Sequence, residues 1–381
     1  MEKQKICIIG GSLTGLLTAI SLSKLNCEID LIIGGAPKNQ KSNRTIAISE
    51  SNMNYINSLN ISKSLSKNIW PCSVMKLYSQ NKNDKVSEVF HLDNNNKPKK
   101  IFYMIENFRI IKLMMDKIKK IKSISIINNE LISDIYDSGL LKSIKIKNNY
   151  HKYNLIIICT GNNSNLVKNI FTKNTIENSY KEKSLTTIIK HDSIKNNITR
   201  QLFLNDGILA LLPISNTKTS IVYSTKELPN ANELNFKKKI LYHVKSYLKN
   251  PILIAKIKSR DLSILIRNNY YKERILLFGD TLHTIHPFVG QGFNMTIRDL
   301  SSLENLLREK INLGLDIGTN DILSEFTQKT KPRNFIFTIS VDLLKNMFTY
   351  DKFKSESLKI LNKSNLAKNT FFNIADKGFQ F

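Results

Sequence analysis

Apolar positions concentrate first at Lys5–Ile9, a short continuous run that ends in Gly10–Gly15. Leu13, Leu16, Leu17, Ile20 and Leu25 then follow at helical spacing, and a second apolar run fills Ile29–Ile33. Strand, glycine turn, helix and strand in that order predict one βαβ unit over residues 5–33. Residues 34–44 form a polar loop that ends at Arg44. Runs at 74–78 and 86–92 flank the polar linker Asn81–Asp84 and predict a strand pair. A helix is expected from about 105 to 120, a strand at Ser123–Ile127 and a hairpin over roughly 131–147. A buried strand at Asn154–Cys159 leads into Thr160-Gly161.

Past residue 184 the pattern changes. Successive β-type runs extend to about 224, with turn signals at Asn205-Asp206-Gly207 and Ser215–Thr217. A helix near 233–248 and strands to Phe278 follow. The rest reads as helices at 293–309, about 319–330 and 333–348, and an amphipathic tail. Together these predict an α/β fold: a Rossmann-like dinucleotide-binding domain, an inserted β-rich substrate domain and C-terminal helices. The expected pieces are 1–73, 101–180 and 273–345 for the first domain, 74–100 and 181–272 for the second, and 346–381 for the helical tail.

Composition adjusts this picture only at the edges. The formal charge of +26 suggests a nucleic-acid or other anionic partner. Lys, Asn and Ile are all abundant, however, and all three are encoded by A/T-rich codons, which supplies the charge without a partner. No RNA-binding aromatic motif, zinc module or dense basic tail accompanies it, so no nucleic acid is expected. Attraction to an anionic membrane surface stays open as the alternative, and the tail's Leu358, Leu361, Leu366, Phe371 and Phe372 could cover the core or dock there. Residues 6–25 are apolar enough to suggest a span, but their glycines and strand-like start favour a buried strand–turn–helix. No secretory leader is visible. Cys7, Cys27, Cys72 and Cys159 are widely spaced without a CxxC pair and are expected as buried thiols in a reducing compartment. The expected location is cytoplasmic or peripheral at the inner membrane.

Two segments carry chemistry. Gly10-Gly11-Ser12-Leu13-Thr14-Gly15 lies between a strand and a helix, where glycines admit close backbone approach and the helix N-terminus faces a pyrophosphate. Ser12 stands at the second glycine position, where its hydroxyl must fit beside the phosphate or bond to it. The acidic residue expected at the end of the second strand is replaced by Ile33, and Asp30 lies three residues early and faces elsewhere. The second segment is 275–299. Asp280 follows the strand Ile275–Phe278 and can accept ribose or ribityl hydroxyls, and Pro287 stiffens the loop. Gly290-Gln291-Gly292 opens a helix with Phe293, Ile297, Leu300, Leu303 and Leu307 on its apolar face. A helix N-terminus beside glycines suits the anionic edge of a reduced flavin. His283 and His286 have i, i+3 spacing but no third ligand, so no metal is expected; structural or flavin-adjacent roles fit better. Asp299 fits packing, and Trp70 beside Pro71 also fits packing. Glu106 divides between a helix N-terminal charge and a functional role.

The second segment resembles the GD…HxxxP…GQGxNxxxxD stretch of aromatic-ring flavoprotein monooxygenases, and within them the ubiquinone-biosynthesis hydroxylase family. The matching residues are Gly279, Asp280, Pro287, Gly290, Gln291, Gly292, Asn294 and Asp299. Arg44–Ser49, Tyr103–Asn107, Gly207–Pro213, the Val341-Asp342…Phe348 pattern and the closing Ala375-Asp376…Gly378 extend the resemblance over nearly the whole chain. The family's Ala-Asp-Gly turn is Cys159-Thr160-Gly161 here, without the carboxylate.

The resemblance implies FAD as cofactor, held by Gly10, Gly11, Ser12, Gly15, Arg44, Asp280, Pro287, Gly290, Gln291, Gly292 and Asn294. It implies ring hydroxylation of a polyprenylated phenol with O2, through a flavin C4a-hydroperoxide, with NAD(P)H as reductant. Catalytic side chains need not be evident, because the cofactor carries the hard step. A non-catalytic scaffold in a quinone-biosynthesis assembly and another flavin oxidoreductase of the same fold are the alternatives.

Overall fold

The computed structural model describes residues 3–34, 43–61, 65–66, 68–93, 100–161, 164–171, 175–226, 233–285 and 290–349, with 370, 372–374 and 376–378 near the end. Strand Gln4–Ile9 is the centre of a six-stranded sheet. In order across the sheet the strands are Tyr271–Lys272, Ile275–Leu277, Leu155–Ile158, Gln4–Ile9, Cys27–Ile33 and Ile124–Asn128. All pairings are parallel except that of 271–272 with 275–277. The central strands are buried almost end to end, as expected for a parallel sheet covered on both faces. The chain leaves strand 4–9 toward 27–33 on one side, while 155–158 pairs on the other. A crevice therefore opens at the strands' C-terminal ends, where α/β sheets bind ligands.

A nine-stranded sheet carries the β-rich half. The strand pair appears as Val74–Gln80 and Val86–Asp93. Sequence periodicity places the β-rich run from 184, but its first strand begins at Thr175 and continues to Lys190. The early part, TIENSYKEK, is too polar and exposed to show a core-facing alternation. Its strand form comes from pairing with Lys258–Arg267, across an irregularity between Ser179 and Glu182. The boundary expected at 180/181 falls inside this strand, and Tyr271–Lys272 lies on the edge of the first sheet.

A third, small sheet joins Thr45–Ser49, Phe102–Glu106 and Ile69–Cys72. The helix expected from 105 is therefore a strand to Glu106 and a helix only from Asn107 to Ile118. The hairpin expected over 131–147 lies later, as strands 136–138, 141–146 and 149–153. The two helices expected around Pro332 are one, Asn320–Thr349. Proline removes one i→i−4 hydrogen bond and normally breaks a helix. Here buried Phe326 and Thr330 before it, and Asn334, Phe337 and Val341 after it, hold both halves in the core.

One apolar cluster fills the space around the first sheet, including Leu16, Ile20, Ile29, Ile157 and Leu303. A second joins the small sheet to the large one through Phe102, Met104, Phe203, Ile208 and Met295. Phe372 of the tail packs on that second cluster, while Leu358, Leu361, Leu366 and Phe371 lie outside the described residues. All four cysteines are buried and unpaired. No helix among the described residues is long and apolar enough to cross a membrane.

The closing segment also braces the small sheet. Ser49, at the N-cap of helix Glu50–Ser58, makes no side-chain cap. Asp376 caps this end instead: its carboxylate accepts from the Ser51 backbone N–H at 2.8 Å and from the Ser51 hydroxyl. Its backbone carbonyl accepts from the Ser49 hydroxyl at 3.1 Å. Asp376→Ala is expected to lower unfolding stability by about 1–2 kcal/mol, the usual value of a helix cap. A urea midpoint equal to wild type would contradict this role.

Candidate flavin site

Three loops meet at the crevice. In the first, a Cβ on Gly15 would lie 1.9 Å from the Gly10 carbonyl oxygen, so only glycine lets the turn close onto its helix. Ser12 precedes helix Leu13–Leu22 without capping it, and no acidic residue occupies the first turn. The leading backbone N–H groups thus remain available to an anion. Ser12 does not copy a glycine: its hydroxyl donates to the Cys159 carbonyl at 3.3 Å and ties the first loop to the second. Burial beside these loops pushes the Cys159 thiol up to about 12. It is a packing group, not a thiolate.

The second loop, 159–161, is joined to the third because the Gly161 N–H donates to the Thr281 hydroxyl at 2.9 Å. Buried Arg267 donates through Nε to the Thr281 carbonyl at 2.8 Å and fixes the same turn from behind. The turn is a short 3-10 helix, Gly279–Thr281, packed through Gly279 on Thr14 of the first helix. Asp280 is exposed on it, next to the Gly279 that packs on Thr14 in the first turn of helix 13–22. Arg44 shares this neighbourhood. It keeps contact with solvent, yet crowding protein holds its pKa below the usual guanidinium range; nearby Arg260 adds repulsion and Asp280 opposes the drop.

The other acidic candidate lies elsewhere, as its spacing implies. Asp30 is buried, accepts from the Tyr153 hydroxyl at 2.8 Å and pairs with Lys5 at 3.0 Å. Ile33 ends the second strand with its side chain against Gly11.

Helix Gln291–Asn312 brings the remaining candidates. Gly290 caps it with φ 65°, the left-handed region that favours glycine. No side chain caps this end, and no acidic residue enters the first turn. Gln291 is only 3% exposed, and neither its amide nitrogen nor its amide oxygen has a hydrogen-bond partner among the described residues. A buried amide without partners costs about 1–3 kcal/mol. Among the described residues, a Cβ on Gly292 would meet only Ile285, at an ordinary 3.7 Å. Asn294 has a different task. Its Nδ2 donates to the carbonyls of Ala47 at 2.9 Å and Gly290 at 3.3 Å; its Oδ1 accepts from the Ser49 N–H and from Asn52, each at 3.0 Å. It locks the Arg44-led strand to the glycine turn. Pro287 and His286 lie outside the described residues.

His283 is buried with Nε2 3.1 Å from Asp299, and Asn334 donates to the same carboxylate at 2.7 Å. Asn334 shows no motif signal in the sequence, because its partners lie far away along the chain. Glu106 pairs with Arg109 one turn into the next helix, which favours the local-charge reading. Trp70 packs on the second cluster and donates through Nε1 to the Asn196 carbonyl at 2.6 Å. Ile208 and Met295 belong to that cluster, Leu212, Ile214 and Ile285 pack against it, and Ile285 lies 3.7 Å from where a Cβ on Gly292 would stand.

The donor set fits a flavin dinucleotide. One open helix end suits a pyrophosphate, an exposed carboxylate beside it suits sugar hydroxyls, and an unpartnered buried amide lies at a second open helix end. The sequence profile of the FAD binding domain family matches residues 3–333. The mitochondrial ubiquinone biosynthesis monooxygenase COQ6 of Dictyostelium discoideum is 22% identical, over 97% of this chain and 90% of that protein. The rat protein of the same name is 29% identical over 51% of this chain; the match spans about half of its own length, 49%. The crystal structure of p-nitrophenol 4-monooxygenase from Pseudomonas putida superposes with a TM-score of 0.80 at 14% identity, covering 100% of both chains.

Proposed function

This chain belongs to the FAD binding domain family, and from that premise we propose that it is a monooxygenase of ubiquinone biosynthesis, hydroxylating the ring of a polyprenylated phenol. Its cofactor is FAD. The observation that carries the site assignment is Gln291, whose buried amide offers a donor and an acceptor to the edge of a planar heteroaromatic ring. Bound FAD would supply the two electrons, taken from NAD(P)H, that activate O2, so that one oxygen atom enters the ring and the other leaves as water.

The chain's own residues bind, orient and exclude water. The N–H groups after Ser12 receive the pyrophosphate, and Asp280 accepts sugar hydroxyls. The N–H groups after Gly290 stabilise negative charge on the reduced ring. Gly292 leaves room for close approach, and Asn294 keeps the turn and the Arg44-led strand in place. The partly buried Leu212, Ile214 and Ile285 suit an apolar substrate and keep water from the reacting carbon. The relatives' names support ubiquinone biosynthesis as the pathway.

Two experiments test this reading. Cells lacking the chain are expected to lose ubiquinone and accumulate an under-hydroxylated precursor; unchanged ubiquinone without such a precursor would overturn the substrate assignment. Gln291→Met is expected to stabilise the apoprotein by about 1 kcal/mol, because an unsatisfied buried amide disappears. It should also weaken FAD by about tenfold, the equivalent of one hydrogen bond. Thermal unfolding and flavin-fluorescence titration measure the two effects. A variant that leaves FAD affinity unchanged removes Gln291 from the site.

A further inference from the structure

Helix Glu233–Val244 covers one face of the nine-stranded sheet. Its Phe236, Ile240 and Val244 pack with Leu209, Ile221 and Tyr223, and i→i−4 bonds at Lys245 and Leu248 carry the turn past its end. By strand alternation this face is opposite the one that carries Phe203 and Ile208, which belong to the second apolar cluster.

The outer side of the helix is the unusual one. Leu234, Lys238, Tyr242, Lys245 and Lys249 recur there at helical spacing, and all are exposed, Tyr242 by 73% and Leu234 by 61%. A helix side turned to water ordinarily carries polar residues, whereas here large apolar groups alternate with lysines. A shallow hollow lined by Lys245, Lys249 and Ile252, among others, continues this side onto the next strand. Ile252 is 62% exposed and Ile254 48%. Ile252 pairs with Lys190, and Lys190 pairs in turn with Lys218, so two further exposed lysines lie beside it.

The face carries a surplus of positive charge. From Leu234 to Lys258 every acidic or basic residue apart from His243 is a lysine. Lys237, Lys239 and Lys258 have partners of their own and are set aside. Lys190, Lys218, Lys238, Lys245 and Lys249 form no ion pair among the described residues. Of the carboxylates around the helix, Asp206 is matched by Lys239 and Glu88 by Lys76. Asp84 lies toward His243, and Asp192 accepts from Asn250 Nδ2 at 2.8 Å. With Asp84 and Asp192 both counted at full charge, the five lysines still prevail.

Lysine is depleted where proteins pack on one another, and isolated aliphatic side chains add nothing to a contact with a phosphate backbone. Lysines with aliphatic and tyrosyl groups between them suit a surface that is charged outside and apolar just beneath. We propose that this face is a docking surface for an anionic lipid bilayer, with the lysines on the headgroups and Leu234, Tyr242 and Ile252 reaching the acyl boundary. It does not depend on the identity of the aromatic substrate.

The test sediments the FAD-loaded protein with vesicles of phosphatidylcholine, alone or mixed in equal parts with phosphatidylglycerol. Binding is expected to the mixed vesicles only, and to be lost in about 1 M salt, where charges act over only about 3 Å. Lys238→Gln, Lys245→Gln and Lys249→Gln combined should weaken partitioning about hundredfold. Tyr242→Ser with Ile252→Ser should weaken it about tenfold and leave its salt dependence unchanged, as loss of apolar contact does. All five positions are exposed, so both variants should keep the wild-type unfolding midpoint and FAD affinity. Equal binding to the two kinds of vesicle, no binding to either, or unchanged binding in the lysine variant would overturn the surface. Salt-sensitive binding to duplex DNA without binding to vesicles would overturn it too, and assign the lysines to a nucleic acid.

Discussion

Asp280→Ala is expected to weaken FAD binding about ten- to hundredfold while leaving the apoprotein's unfolding midpoint unchanged. The first half follows from chemistry. A carboxylate accepting hydroxyl donors contributes about 1.5–3 kcal/mol, and about 1.4 kcal/mol is a factor of ten in affinity. The second half follows from position: Asp280 is exposed, and its short helix is held by Gly279 on Thr14, by Gly161 on Thr281 and by Arg267 behind it. Electrostatics alone argue the other way, since removing a negative charge near a pyrophosphate should favour binding. At an exposed position that repulsion is screened, and the lost hydrogen bonds dominate. Asp280→Asn retains one acceptor oxygen and is expected to fall between wild type and alanine. Flavin-fluorescence titration decides, and an alanine variant with wild-type affinity removes Asp280 from the site.

Gly15→Ala is expected to affect folding and cofactor together. The added methyl would lie 1.9 Å from the Gly10 carbonyl oxygen, a backbone atom that cannot rotate away. Overpacking of this kind costs about 1–3 kcal/mol when the structure can shift. Here the shift must move the turn whose N–H groups face the pyrophosphate, so FAD retention should fall with stability. Gly292→Ala is the contrast. Among the described residues its Cβ meets only Ile285 at an ordinary distance, so the fold should tolerate it. Thermal unfolding of the two apoproteins separates them; equal midpoints would refute the packing argument.

The sequence made local features legible and left distant ones hidden. The βαβ unit was evident because Lys5–Ile9, the glycine turn and Leu13–Leu25 follow one another without interruption. The placement of Asp30 away from the crevice followed from strand alternation, and its partners Lys5 and Tyr153 supply the reason. Strand 175–183 escaped because its residues are polar and its conformation is set by a partner some eighty residues away. Pro332 suggested a break that packing on both sides overrides. At the site, Gly290-Gln291-Gly292 was visible as a motif, but its division of labour was not. Only three-dimensional packing reveals that Asn294 is occupied by Ala47, Ser49, Asn52 and Gly290, whereas Gln291 is buried without a partner among the described residues. The capping of helix 50–58 by Asp376 was equally hidden, since 325 positions separate Ser51 from its acceptor.

The most direct test of the central claim is oxygen incorporation. Purified FAD-loaded protein, supplied with NADH or NADPH and a short-chain prenylated phenol, is run under ¹⁸O-labelled O2 in ordinary water. The account predicts a ring-hydroxylated product carrying one labelled oxygen, with reductant consumed in step. Product oxygen drawn from water, or reductant consumed without any hydroxylated product, would contradict it.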